Sequence, residues 1–183
     1  IWDETQKALS YKNSSKYFTT LKKVEALKYF DGLEKAYSKN LKFLKKMDKK
    51  RDMVHEKWGI INLNSEQANI LEKKIRVPNK ISNFRKTLTE IFQLIEKKNI
   101  NEKKLLTSLN GMNFFRNESN VLSAINLLQK LKIISPKKNK NWKSLLNDLK
   151  KTKVKTSGLK AEQIKDKIFH ERLKVIQDKK NDL

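Results

Sequence analysis

The sequence predicts an all-α protein: a long N-terminal helix or helical hairpin followed by a compact helical bundle. Three observations carry this. Gly occurs four times and Pro twice in 183 residues, too few for the turns of a many-stranded sheet. Apolar residues recur at three- and four-residue spacings along most of the chain, which is the helical period. Eight Phe, three Trp and many Leu and Ile sit within a hydrophobic fraction of 37%, below the usual value of about 45–50% but enough for a lean core.

Residues 1–13 hold one large anchor, Trp2, without a clear period, and read as a tether. From Ser14 the pattern turns helical: Leu27, Phe30, Tyr37, Leu41 and Leu44 form a packing stripe, with Glu34 in the seam between Phe30 and Tyr37. Asp31-Gly32-Leu33-Glu34 interrupts the stripe with a capping-box signature. One long helix carrying a Gly and two helices meeting there both fit; the favoured reading is one nearly continuous helix that Gly59 stops after Trp58. Asn64 or Ser65 then caps a short helix running to about Arg76, ended by Val77-Pro78 because the residue before proline disfavours helical backbone. This is the expected boundary. It gives an N-terminal docking segment (1–79), a bundle (80–155) and a C-terminal helix (156–183).

In the bundle, Ile81, Phe84, Leu88, Ile91 and Ile95 mark a helix ending near Lys98. Asn101 is a good N-cap for a helix bearing Leu105, Leu106 and Leu109, which Asn110-Gly111 stops. Residues 117–120 can cap a strongly apolar helix bearing Val121, Leu122, Ala124, Ile125, Leu128 and Leu131, expected to be central. Ile133-Ile134-Ser135-Pro136 ends it, residues 137–141 read as a loop, and Trp142, Leu145, Leu146 and Leu149 begin a short amphipathic helix. Thr156-Ser157-Gly158 breaks the chain before a last helix over about 159–177.

The 43 Lys and Arg against 20 Asp and Glu leave a charge of +23, too basic for an ordinary cytosolic enzyme surface. Without Cys there is no disulfide framework, thiolate zinc site or cysteine nucleophile, and the expected setting is intracellular. No apolar run approaches the roughly 18–20 residues that span a bilayer, and none resembles a secretory signal, so the protein is read as soluble, with no membrane partner. His55 and His170 lack the i, i+4 partner of a helical zinc site. Asp48, Asp52 and Glu56 at i, i+4 and i+8 read as ion-pair partners of Lys45, Lys49 and Arg51 rather than as an acid–base pair. No phosphate loop or nucleophile elbow is present. Accordingly no catalytic residue, metal ligand or cofactor is assigned.

Charge is uneven. Residues 1–79 carry 18 basic and 10 acidic side chains, residues 80–183 carry 25 and 10. Over residues 130–160, eleven lysines face a single acid, Asp148. Lys130, Lys132, Lys137, Lys138, Lys140, Lys143, Lys150, Lys151, Lys153 and Lys155 are the candidate contacts to nucleic-acid phosphate, where release of condensed ions drives binding. Trp142 lies inside this tract; its helical spacing with the leucines favours a core anchor over a platform for an unpaired base. A second cluster, Lys45, Lys46, Lys49, Lys50 and Arg51, fits a solvated helix end or phosphate contact. The excess of Lys over Arg suits backbone attraction better than bidentate reading of guanine.

Four segments in order, Phe84-Arg85-Lys86-Thr87-Leu88-Thr89-Glu90-Ile91, Leu105-Leu106-Thr107-Ser108-Leu109-Asn110-Gly111-Met112, Ala124-Ile125-Asn126-Leu127-Leu128-Gln129-Lys130-Leu131 and residues 142–151, carry a resemblance. Residues 81–151 resemble the N-terminal domain of transcription elongation factor S-II and the integrase-binding domain of lens epithelium-derived growth factor. The resemblance implies a small right-handed helical bundle that receives disordered peptides from transcription and chromatin proteins at a tip formed by two loops. The matching positions are Ile100 and Asn101, where the family has an apolar residue followed by Asp, and Ile133 and Ile134 after the central helix. Asn101 can cap a helix but lacks the charge of Asp. For the two isoleucines at 133 and 134, a core role stands beside the pocket role.

The expected function is therefore a nonenzymatic nuclear adaptor of a transcription or chromatin assembly, with DNA favoured over RNA as the nucleic-acid partner and protein partners in a larger complex. A structural RNA-binding protein of a ribosome, in a mitochondrion or other organelle, is one alternative. A scaffold whose stripe of Leu27, Phe30, Tyr37, Leu41 and Leu44 is covered by another chain is the other.

Overall fold

The computed structural model describes residues 1–30, 32–97, 99–155 and 157–183. Among these the chain forms ten α-helices and no strand. They are α1 (Trp2–Ser10), α2 (Ser14–Lys23), α3 (Leu33–Met47), α4 (Val54–Ile61), α5 (Ala68–Ile75), α6 (Asn79–Glu96), α7 (Glu102–Gly111), α8 (Ser119–Lys130), α9 (Pro136–Lys151) and α10 (Ala161–Lys179). Short 3-10 turns occupy Ala26–Tyr29 and Lys180–Asp182. The chain divides into two compact units, Ile1–Phe92 and Gln93–Leu183. The division falls inside α6 rather than at Val77-Pro78. Pro78 opens α6, its carbonyl accepting from the amides of Ile81 (2.9 Å) and Ser82 (3.1 Å).

The single long N-terminal helix is not formed. Residues 14–58 make α2, a 3-10 turn, α3 and most of α4, because left-handed backbone at Glu25 (φ 56°), Gly32 (φ 68°) and Asp52 (φ 54°) interrupts the helical path. Asp31, first residue of the capping-box signature, lies outside the described residues. At Gly32 a Cβ would fall 2.7 Å from Gln67 Oε1 and 2.9 Å from Gln67 Cβ, so both backbone conformation and close approach require glycine. Gly59 is not a stop. It lies within α4, where a Cβ would stand 3.0 Å from Leu88 Cδ2, and it lets α4 approach α6 closely.

The opening residues are docked as α1. Trp2 is buried edge-on against Trp58, ring centroids 5.3 Å apart. Leu27, Tyr37 and Leu44 are fully buried in the same core, with Phe30 and Leu41 packed against it. Three of the five stripe residues are thus closed within their own unit, while Phe30 and Leu41 stay half-buried.

Buried polar side chains join these short helices. Lys57 is fully buried and donates to the carbonyls of Leu9 (2.9 Å), Tyr11 (2.7 Å) and Lys50 (2.8 Å), satisfying acceptors at the end of α1 and in the loop after α3. Burial lowers its pKa below the ordinary lysine value, with Asp48 and Asp52 pulling the other way. Asp48 ends α3, and its carboxylate accepts from the Ser15 amide (2.9 Å) and from the hydroxyls of Ser14 (3.3 Å) and Ser15. It caps α2 from a distance, since Asn13 makes no side-chain cap there. Asp48, Asp52 and Glu56 consequently share no helix face. Glu72 on α5 takes a bidentate pair from Arg85 on α6 (2.9 and 2.8 Å) and the indole N–H of Trp58 on α4 (2.9 Å). Burial pushes the Glu72 carboxyl up, but hydrogen bonds from Arg85 and Trp58, the Arg85 charge and Ser82 together hold it below its ordinary value.

Three helices are closed by a left-handed residue other than glycine. After α5, α7 and α8 the residues Arg76 (φ 60°), Asn113 (φ 56°) and Lys132 (φ 59°) turn left-handed. Each is followed by an amide that reaches back over five residues: Val77 to the Glu72 carbonyl (2.9 Å), Phe114 to Leu109 (3.0 Å) and Ile133 to Leu128 (2.9 Å). This is the Schellman arrangement. Apolar Val77 and Phe114 are buried just beyond the turn, and Ile133 is half-buried. The expected cap of α5 also differs: Gln67, not Asn64 or Ser65, precedes its first residue. Asn101 caps α7 as expected, its side chain accepting from the Lys104 amide at 2.9 Å. Lys98 lies outside the described residues, and α6 ends at Glu96.

In the second unit α8 buries Val121, Ala124, Ile125, Leu127 and Leu128, and α9 packs Trp142, Leu145, Leu146 and Leu149 into the core. In α10 Ile176 is the one residue fully buried among those described. Polar links hold this helix: Lys180, just past it, pairs with Glu102 at 2.5 Å, and Lys179 pairs with Asp148.

Candidate nucleic-acid interface

The segment read as a loop, residues 137–141, is helix. Ser135 caps α9 by accepting from the Lys138 amide at 3.1 Å, and Pro136 takes the first helical position, where its fixed φ suits the helix and its missing N–H costs nothing. The lysines after it are therefore set in helical register. At about 100° per residue, Lys137, Lys140, Lys143, Lys150 and Lys151 fall within an arc of roughly 140° on the side away from Trp142, Leu145 and Leu149. All five are exposed. From Lys137 to Lys151 the helix rises about 21 Å, a length over which duplex DNA carries about a dozen phosphate charges.

The remaining lysines divide by environment. Lys138 is half-buried and donates to the Ile95 carbonyl at 2.9 Å, so it ties α9 to the end of α6. Lys130 ends α8, Lys132 forms the left-handed turn after it, and both are exposed. Lys153 and Lys155 are exposed in the non-helical stretch after α9. Lys150 pairs with Glu118 at 2.8 Å, both partly exposed, a weak pair in water. Asp148 is occupied by Lys179, which also donates to the Ser144 hydroxyl at 3.0 Å. The acid within the tract is thereby neutralised by a cation from another helix.

Trp142 has no exposed surface and anchors α9; stacking on a base is closed to it. Ile134 and Ile133 follow the same logic in part: Ile134 is 6% exposed and belongs to the core, while Ile133 and Ile100 are half-buried. Asn101 is exposed with its oxygen engaged in the cap. Lys45, Lys46, Lys49, Lys50 and Arg51 are exposed at and after the end of α3, and Phe43 nearby carries the ammonium groups of Lys42 and Lys46 at 5.0 and 5.5 Å from its ring centroid.

His55 packs on the edge of Phe84, ring centroids 4.9 Å apart, and His170 Nδ1 lies 2.8 Å from the Asp166 carbonyl. Among the described residues no group of three or more His, Asp or Glu is placed to hold a metal ion, and no helix is long and apolar enough to cross a membrane. No family model matches the sequence, and neither a curated protein nor a solved structure matches the chain.

Proposed function

We propose that the chain is a nonenzymatic adaptor that holds nucleic-acid backbone on the lysine face of α9. Its setting would be a transcription or chromatin assembly of the nucleus, with partner peptides received by the second unit. The observation that carries this reading is the rigid array of Lys137, Lys140, Lys143, Lys150 and Lys151 on one capped helix, with Asp148 already paired to Lys179. Such an array offers point charges in fixed register and no planar fork for reading bases, so it supports affinity for backbone without sequence preference. The peptide part of the reading rests on the resemblance of residues 81–151 and on the partly open Ile100 and Ile133.

The test is direct competition. Labelled duplex DNA bound to the full chain is challenged with unlabelled duplexes of unrelated sequence and with a structured RNA hairpin at one salt concentration. Equal displacement by all duplexes, with weaker displacement by the hairpin, is the expected result. Strong preference for the hairpin would replace this reading with that of a structural RNA-binding protein, and absence of binding would remove it.

A further inference from the structure

The second unit contains a cleft of about 420 Å³ along the groove between α7 and α10. Leu106 and Asn110 line it from α7, and Lys165, Ile168, Phe169 and Arg172 line it from α10, with Asp166 at the same cleft. The spacing 165, 168, 169, 172 is one face of a helix, so these side chains are held together by a rigid element.

Arg172 is the unusual member. Its guanidinium carbon lies 3.4 Å from the centroid of the Phe115 ring, a close stacking contact that fixes the plane of the fork. Its Nε is buried and makes no hydrogen bond. Among the described residues no carboxylate stands within ion-pair distance of it; the neighbouring acid, Glu171, is engaged with Lys174 at 2.8 Å. Burial alone lowers its pKa, without an opposing carboxylate. A half-buried guanidinium whose Nε donor goes unused is costly when left so, and in a chain of charge +23 no surplus of internal acid exists to relieve it. A stacked Arg fork is instead suited to a planar two-oxygen acceptor.

We infer that this cleft receives one carboxylate side chain of a partner protein segment, flanked by apolar residues that settle on the half-buried Ile168 and Phe169. Charge complementarity commits the site to that occupant. Arg172 and Lys165 set two cations against the one acid at the cleft, Asp166, a net charge that one carboxylate balances, and Ile168 and Phe169 beside them suit the apolar flanks of a protein segment rather than a phosphate chain. The cleft shares no lining residue with the lysine face of α9, and its failure leaves the nucleic-acid reading standing.

The experiment pans a displayed library of random twelve-residue peptides on the full chain, then measures the enriched peptides by fluorescence anisotropy. Expected is enrichment of peptides with Asp or Glu beside apolar residues. Their affinity should fall at least about tenfold in Arg172→Gln, as loss of a charge-assisted bidentate contact requires. The fall should be smaller in Arg172→Lys and unchanged when Lys137, Lys140 and Lys143 are replaced by Gln. Asn110→Asp, an exposed position, keeps the test open if Arg172→Gln fails to fold; it too should weaken binding. The inference is overturned if no peptides are enriched, if the enriched peptides lack an acid, if both Arg172→Gln and Asn110→Asp bind as the unmodified chain does, or if duplex DNA displaces the peptide.

Discussion

Lys179 of α10 holds the carboxylate of Asp148 of α9, the one acid among eleven lysines over residues 130–160. The pair does two things at once: it fastens α10 to α9 and removes the repulsion that an open carboxylate beside the lysine face would exert on phosphate. Replacing Lys179 by Gln frees that carboxylate and should weaken duplex binding about twofold or more at low salt, while Asp148→Asn should strengthen it slightly, in keeping with the small energies of partly exposed charges. Titrations of both variants at low salt, with 1 M salt as the control, check the opposite signs.

The cap of α9 links stability to the site. Ser135→Ala removes the acceptor of the Lys138 amide and should cost about 1 kcal/mol. Fraying of the first turn should weaken duplex binding through Lys137. Urea unfolding together with the binding titration separates the two effects; a full loss of stability with unchanged binding would mean that the register of the first turn is immaterial.

Lys57→Met leaves the carbonyls of Leu9, Tyr11 and Lys50 without their shared donor. The loss expected in equilibrium unfolding is on the order of 3 kcal/mol, because removing a buried donor strands its acceptors. Duplex affinity of the folded fraction should stay unchanged.

Acid sensitivity should come from Glu72. Its folded pKa is lowered, so between that value and the unfolded value near 4.3 the unfolded chain binds more protons and stability rises with pH. The contribution is complete above the unfolded pKa and is lost as pH falls through the folded one. Thermal melts from pH 6 down to pH 2 should show a drop below about pH 4 that Glu72→Gln flattens. That variant starts less stable by about 3 kcal/mol, because Arg85 is left buried without its counter-charge.

The helical class, the cap at Asn101 and the core role of Trp142 were legible because each rests on a local pattern. What escaped the sequence was long-range or conformational. Lys57, Asp48 and Glu72 act across gaps of many residues, and a buried lysine looks like any other lysine until its acceptors are folded around it. Gly111 does end α7, but Gly59 ends nothing, and Arg76, Asn113 and Lys132 take the left-handed positions. Arg and Lys give no signal for that conformation, and Asn only a weak one. In the stretch after Ser135 the lysines hide the helical period that Ser135-Pro136 begins. Arg172 stood out from the other basic residues only once Phe115 was found beneath it.

The most direct test of the nucleic-acid reading is the salt dependence of duplex binding by the full chain and by a variant with Lys137, Lys140, Lys143 and Lys151 changed to Gln. Lys138 is left intact because it holds the Ile95 carbonyl. If these four side chains touch phosphate, the slope of log affinity against log salt becomes shallower by about 3 to 4, with the melting temperature unchanged. Equal slopes for the two proteins would contradict the account and return the charge of α9 to solvation alone.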